Sequence, residues 1–203
     1  MAMRPPQHAE RPTSAIEEHA LDDLRYIRRT MEGAGAFTTA SGIGQTVIGL
    51  TALAAAWNAA RQPDGRGWLT VWLAESALAL AIAVAAMFAK ARRAGMPLAS
   101  EPARRFTANF ALPMLAGLAL SLALVRAGNL HPLPGVWLLM FGTAVAAGGA
   151  FSVAPVRHMG HAFMLLGVAA LFAPAGWGDA LLALGFGGLL IGFGVVIAWR
   201  HGG

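Results

Sequence analysis

Glu75 is the one acidic residue that sits well inside an apolar run of this 203-residue chain. A carboxyl group in hydrocarbon is costly, so it must face protein, find a partner or carry a proton. That chemistry suits proton or cation binding. Ser76 stands beside it, and Gln45, Thr46 and Thr143 on other apolar runs are the polar residues able to meet it. The plainer reading is a single interhelical hydrogen bond. Asn109 precedes Pro113 by four residues in a further apolar run. A proline there removes a helical N–H and frees a carbonyl, and breaks of this kind can line transport sites.

His158 and His161 are three apart and share a helical face, next to Arg157. Two imidazoles could contribute to a metal site or approach a haem edge. A complete zinc site needs further ligands, and no carboxylate or cysteine stands nearby in the chain. A bis-histidine haem needs histidines on two helices at matched depth, and neither His131 nor His201 pairs with them. Interfacial hydrogen bonds are the expected role, and no cofactor is expected. The chain has no cysteine, which excludes disulfides, thiolate catalysis and thiolate metal ligation. It has no Walker lysine motif, no HExxH and no nucleophile elbow. Enzyme activity is therefore the less expected class.

These residues must be positioned by membrane helices. The chain is 57% hydrophobic and 12% charged, with a mean hydropathy of +0.58. A soluble domain carries about 25% charged residues. Six stretches reach the roughly 20 residues needed to cross a bilayer: 36–58, 68–89, 106–125, 135–154, 159–176 and 179–199. Their continuous apolar character disfavours a β-barrel, whose strands alternate. The expected fold is all-α: six transmembrane helices over 36–199, arranged as three hairpins.

Lys and Arg set the orientation. Five lie in the N-terminal tail, five between the second and third spans, and one each at Arg157 and Arg200; only Arg61, Arg66 and Arg126 fall on the other side. Both termini are thus expected in the cytoplasm. Trp57, Trp68, Trp137 and Trp177 are expected at the outer interface, where indole rings anchor. The net charge of +5 follows this loop distribution, so nucleic acid is not an expected partner.

Each hairpin carries a small residue where its first helix packs, then Gly and Trp where the second enters: Gly49 with Gly67-Trp68, Gly117 with Gly135 and Trp137, Gly167 with Gly176-Trp177. This order predicts a parallel three-fold repeat; chance likeness among Ala/Gly/Leu helices is the alternative. Gly42, Gly44 and Gly49 in the first span, and Gly188 and Gly192 in the sixth, are the expected close-packing or dimerisation positions.

Residues 1–13 are Pro-rich and expected to be disordered, without the apolar core of a secretory signal. Ser14 and Glu17 form a capping box. Behind them Ile16, Ala20, Leu24, Ile27 and Met31 recur at helical spacing, predicting an amphipathic cytoplasmic helix over 14–34. It suits the inner membrane face, a partner helix or the protein's own loops. Residues 200–203 form a short cytoplasmic tail.

The run from His19 to Phe37 and the segment from Gly148 to Val153 resemble small six-helix bacterial integral membrane proteins of an uncharacterised family, over residues 16–203. The resemblance implies a bacterial inner-membrane protein and carries no catalytic residue. Three functions are open. The first is an accessory, scaffold or sensor subunit, with membrane lipid and a membrane-protein partner or further copies as its company. The second is a small-solute or ion transporter using Glu75. The third is a haem- or metal-binding redox protein.

Overall fold

The computed structural model describes residues 41–94, 101–151 and 154–201, together with Leu21. The tail over 1–13 and the amphipathic helix over 14–34 lie outside the described residues, apart from Leu21, which is helical and exposed.

The described residues form helices and turns without a strand. In lipid, a helix satisfies its own backbone groups, which an open strand cannot do. Helix α1 runs Gly42–Ala59. Ser41 opens it in extended geometry, its Oγ accepting the Gly44 N–H at 3.2 Å. Such a cap satisfies one of the donors left free at a helix start. After a tight turn, the Asp64 carboxylate accepts the Gly67 N–H at 2.7 Å at the start of α2, Gly65–Ala94. Helix α3 is Glu101–Arg126, and it continues through Pro113 where the sequence predicted a break. Helix α4 is Leu133–Gly148, with Pro134 in its first turn, where a missing N–H costs nothing. A 3₁₀ turn, Gly149–Phe151, precedes α5, Ala154–Phe172. Another, Ala175–Trp177, leads into α6. That helix is α-helical over Gly178–Leu182, π-helical over Ala183–Leu189 and α-helical again over Leu190–His201. The π segment contains three glycines and no β-branched side chain, so its widened turns meet no crowding at Cβ.

Three stretches are long and apolar enough to cross a membrane: Gly65–Arg92, Arg104–Arg126 and Gly178–Arg200. Helix α4 is apolar but shorter.

The order of packing departs from three sequential hairpins. Neighbours α1 and α2 pair, as do α3 and α4, but α5 lies chiefly on α4, and α6 on α1. Glycines decide this. A methyl group at Gly142 would lie 2.6 Å from Met164 N, one at Gly160 2.7 Å from Ala146 N, and one at Gly167 2.5 Å from Leu139 N. At the other seam, a methyl at Gly42 would lie 2.5 Å from Ala198 N, and one at Gly49 2.9 Å from the Gly187 carbonyl. Small residues allow backbones this close, and dispersion between them is the main attraction available where lipid is as apolar as the side chains. The bundle therefore has two glycine-closed helix pairs, α1/α6 and α4/α5, flanked by α2 and α3.

An aromatic cluster joins the two pairs. Trp68 of α2 stacks on Trp137 of α4 at 5.4 Å, and Trp72 meets Trp137 and Phe186, each at 6.5 Å. Phe141 contacts Phe186 at 5.2 Å, Phe163 at 4.8 Å and Phe110 at 6.0 Å. Each tilted or edge contact adds about 0.5–1.5 kcal/mol beyond area burial. Trp68 and Trp137 thus serve the bundle interior, in contrast to Trp57 and Trp177, which are 70% and 60% exposed.

Candidate functional site: the Thr51–Glu75 pair

Helix α2 passes its tenth residue beyond Gly65 at Glu75, and α1 is eight residues short of Ala59 at Thr51. At about 1.5 Å per residue the two lie at similar depth below the α1–α2 turn. The Thr51 hydroxyl oxygen lies 2.8 Å from Glu75 Oε1, and the carboxyl group is buried. The same hydroxyl oxygen lies 2.9 Å from the Ile48 carbonyl.

A hydroxyl has a single proton and two lone pairs. If Glu75 is a carboxylate, Thr51 donates to it and the Ile48 contact lacks that proton. If Glu75 is neutral, its O–H can donate to Thr51 while Thr51 donates to Ile48. Both contacts are then hydrogen bonds at once. The pair can therefore accept or release a proton without moving a heavy atom.

The other polar residues nominated with Glu75 do not join it. Ser76 is exposed, and its hydroxyl donates to the Trp72 carbonyl at 2.8 Å on its own helix. Thr143 donates to the Leu139 carbonyl at 2.8 Å along α4, and Thr46 to the Gly42 carbonyl at 3.0 Å along α1. These back-bonds satisfy a hydroxyl in an apolar setting at little cost to the helix. Gln45 is half-buried on α1, and its Oε1 meets no donor among the described residues. Asn109 is half-buried on α3. Thr51 was missed in the sequence because a helical threonine usually bonds to its own backbone. Counting residues from the hairpin turn would have placed it opposite Glu75.

Two further polar contacts cross between helices. The Trp68 Nε1–H donates to Asp179 Oδ1 at 2.6 Å, tying α2 to the start of α6. The Trp137 Nε1–H donates to Ser121 Oγ at 2.9 Å, and Ser121 donates to the Gly117 carbonyl at 2.7 Å. Trp72 is 3% exposed, and its Nε1–H has no partner among the described residues. His158 and His161 are both exposed on α5. No group of three or more His, Cys, Asp or Glu able to hold a metal occurs among the described residues.

The nominated packing glycines divide. Gly42, Gly44 and Gly49 are buried at close approaches, Gly44 against Ala86 of α2. Gly188 and Gly192 are exposed; a methyl at Gly192 would meet nothing within 4 Å. The intramolecular seam uses Gly187 and Gly194 instead.

Compared with known proteins, the chain matches no family model, no curated protein and no solved structure.

Proposed function

We propose that the chain is a six-span protein of the bacterial inner membrane, with both termini cytoplasmic, acting as an accessory, scaffold or sensor subunit through lateral contacts in the bilayer. Three spans have the required length and apolarity. Helices α1 and α5, of 18 and 19 residues, pack beside the spans and reach about 27–29 Å, close to the hydrocarbon thickness of about 30 Å. The loop distribution of Lys and Arg supports the orientation.

The observation that carries the subunit reading is the contrast between interior and flanks. Inside, Thr51–Glu75, Trp68–Asp179 and Trp137–Ser121 join helices and Thr46 and Thr143 bond back to their own, while Gln45 Oε1 and Trp72 Nε1 meet no partner among the described residues. Outside, α2 and α3 present wide apolar faces, with Leu80 66%, Leu112 69% and Leu118 65% exposed. Such faces suit lipid or a neighbouring span. The test places a photoreactive residue at Leu80 or at Leu118 in the native membrane. One discrete cross-linked protein, recovered from Leu118 but not from a loop position, is expected. Adducts to lipid alone at both positions would overturn the reading.

A second reading rests on the Thr51–Glu75 pair. A buried carboxyl group with a hydroxyl beside it suits proton-coupled passage of an ion or small solute. Proteoliposome flux that disappears in Glu75→Gln would favour this reading over the first.

A further inference from the structure

Trp72 and Glu75 stand three residues apart on α2 and are 3% and 8% exposed. Side chains at that spacing share a helix face. The Thr51–Glu75 pair therefore sits one turn from the aromatic cluster. The Trp72 ring centre lies 6.5 Å from those of Trp68, Trp137 and Phe186. These three neighbours are half-buried. Helix α2 packs chiefly on α1, so its two indoles can part from Trp137 without opening a glycine seam.

Charge decides what this face can hold. Among the described residues, α1 and α4 carry no ionisable side chain. Helix α2 has Arg66 at one end and its other basic residues from Lys90 onward. Helix α6 has Asp179 at one end, and Arg200 and His201 at the other. Arg157, His158 and His161 of α5 are exposed. No basic side chain at mid-span can neutralise Glu75, so its ionised form needs a cation from outside the chain. A hard metal cation takes about six oxygen ligands. Here the carboxyl group has the Thr51 hydroxyl beside it and the Ile48 carbonyl behind that. Aromatic faces instead attract a weakly hydrated organic cation, most strongly where water is excluded.

The ionised carboxylate also needs donors, since it only accepts. Thr51 offers one. The Trp72 Nε1–H, buried and without a partner among the described residues, offers another one turn away. A helical side chain leans toward the preceding turn, which brings Glu75 toward Trp72.

We propose that Glu75 and the Trp68–Trp72–Trp137 cluster bind a lipophilic monovalent organic cation, such as a quaternary ammonium, in exchange for the proton on Glu75. The carboxyl O–H gives its proton to water as the carboxylate pairs with the cation, so the net charge of the site is unchanged. The proposal rests on the transport reading and names its solute.

The test is calorimetry on the full chain in mild detergent, with tetraphenylphosphonium as the probe and tetraphenylborate as its anionic counterpart of the same shape. Saturable binding of the phosphonium and none of the borate is expected. Binding is expected to weaken as pH falls, because proton and cation compete for one carboxylate. Glu75→Gln is expected to lower affinity about a hundredfold or more, the scale of a broken buried ion pair. Glu75→Asp keeps the charge and is expected to retain binding, which separates loss of charge from loss of fold. Trp137→Leu is expected to lower affinity about fivefold, the scale of one cation–π contact. Trp57→Leu, at an exposed ring outside the cluster, is expected to change nothing. Equal binding of the two probes, or a Glu75→Gln affinity equal to that of wild type, overturns the inference.

The two readings fail separately. Proton flux that depends on Glu75, without binding of the phosphonium, overturns the inference alone. Binding that depends on Glu75, without any flux, upholds the site and overturns the transport reading.

Discussion

The Thr51 hydroxyl and the Glu75 carboxyl group meet at 2.8 Å across the α1–α2 hairpin, one residue on each helix. The contact pins the rotation of α2 against α1, since a carboxyl turned toward lipid would lose both its partner and its shelter. Interhelical hydrogen bonds of this kind in membranes average about 0.6 kcal/mol and reach about 1.7 kcal/mol. Thr51→Val is expected to destabilise the bundle by about that range. Glu75→Gln retains a polar group of the same shape and is expected to cost less than Glu75→Leu, which also removes the group the hydroxyl faces. Denaturation in mixed micelles, run as a double-mutant cycle, reads the coupling; additive costs would show that the contact contributes nothing.

The glycine seams predict a sharp contrast between positions. Gly167→Ala would put a methyl 2.5 Å from Leu139 N, so α4 and α5 must separate. Overpacking of this kind costs about 1–3 kcal/mol. Gly192→Ala meets nothing within 4 Å and is expected to stay within about 0.5 kcal/mol of wild type. Thermal unfolding of the two variants in one detergent separates them. A dimer that dissociates on Gly192→Ala would instead show that this exposed face holds a second copy.

Trp68 has two roles that substitution can divide. Trp68→Phe keeps an aromatic ring over Trp137 and loses the hydrogen bond to Asp179, a bond to a carboxylate oxygen worth about 1.5–3 kcal/mol. Trp68→Ala loses the stack as well, and large-to-small changes of this type cost about 3–5 kcal/mol. Tryptophan emission on heating gives both midpoints. Asp179→Asn, which keeps an acceptor, is expected to fall nearer wild type than either.

Orientation is testable on the cysteine-free background. Pro63, Asn129 and His158 are exposed at the helix ends. In intact cells, an impermeant thiol reagent is expected to label Pro63→Cys and Asn129→Cys and to spare His158→Cys until the membrane is opened. Labelling of His158→Cys in intact cells would overturn the proposed six-span topology.

Element identity was legible in the chain because bilayer thickness acts on local composition. A long apolar run must be a helix, whatever its neighbours, so α2, α3 and the run from Gly178 were readable from hydropathy alone. Glu75 was legible for the same reason: one acid in such a run has few permitted fates. Gly42, Gly44 and Gly49 were readable as small positions without their partners. Which helices share a seam was decided only by tertiary structure. Chain order predicted an α5/α6 hairpin, but close approach needs small residues facing each other at equal depth. Gly160 and Gly167 find that match on α4, while Gly187 and Gly194 find it on α1. The same rotation of α6 leaves Gly192 outside. Thr51 as the partner of Glu75, and the stacking of Trp68 on Trp137, likewise depend on helix rotation. Hydropathy that is nearly uniform around a helix carries no information about that angle; contacts between backbones set it.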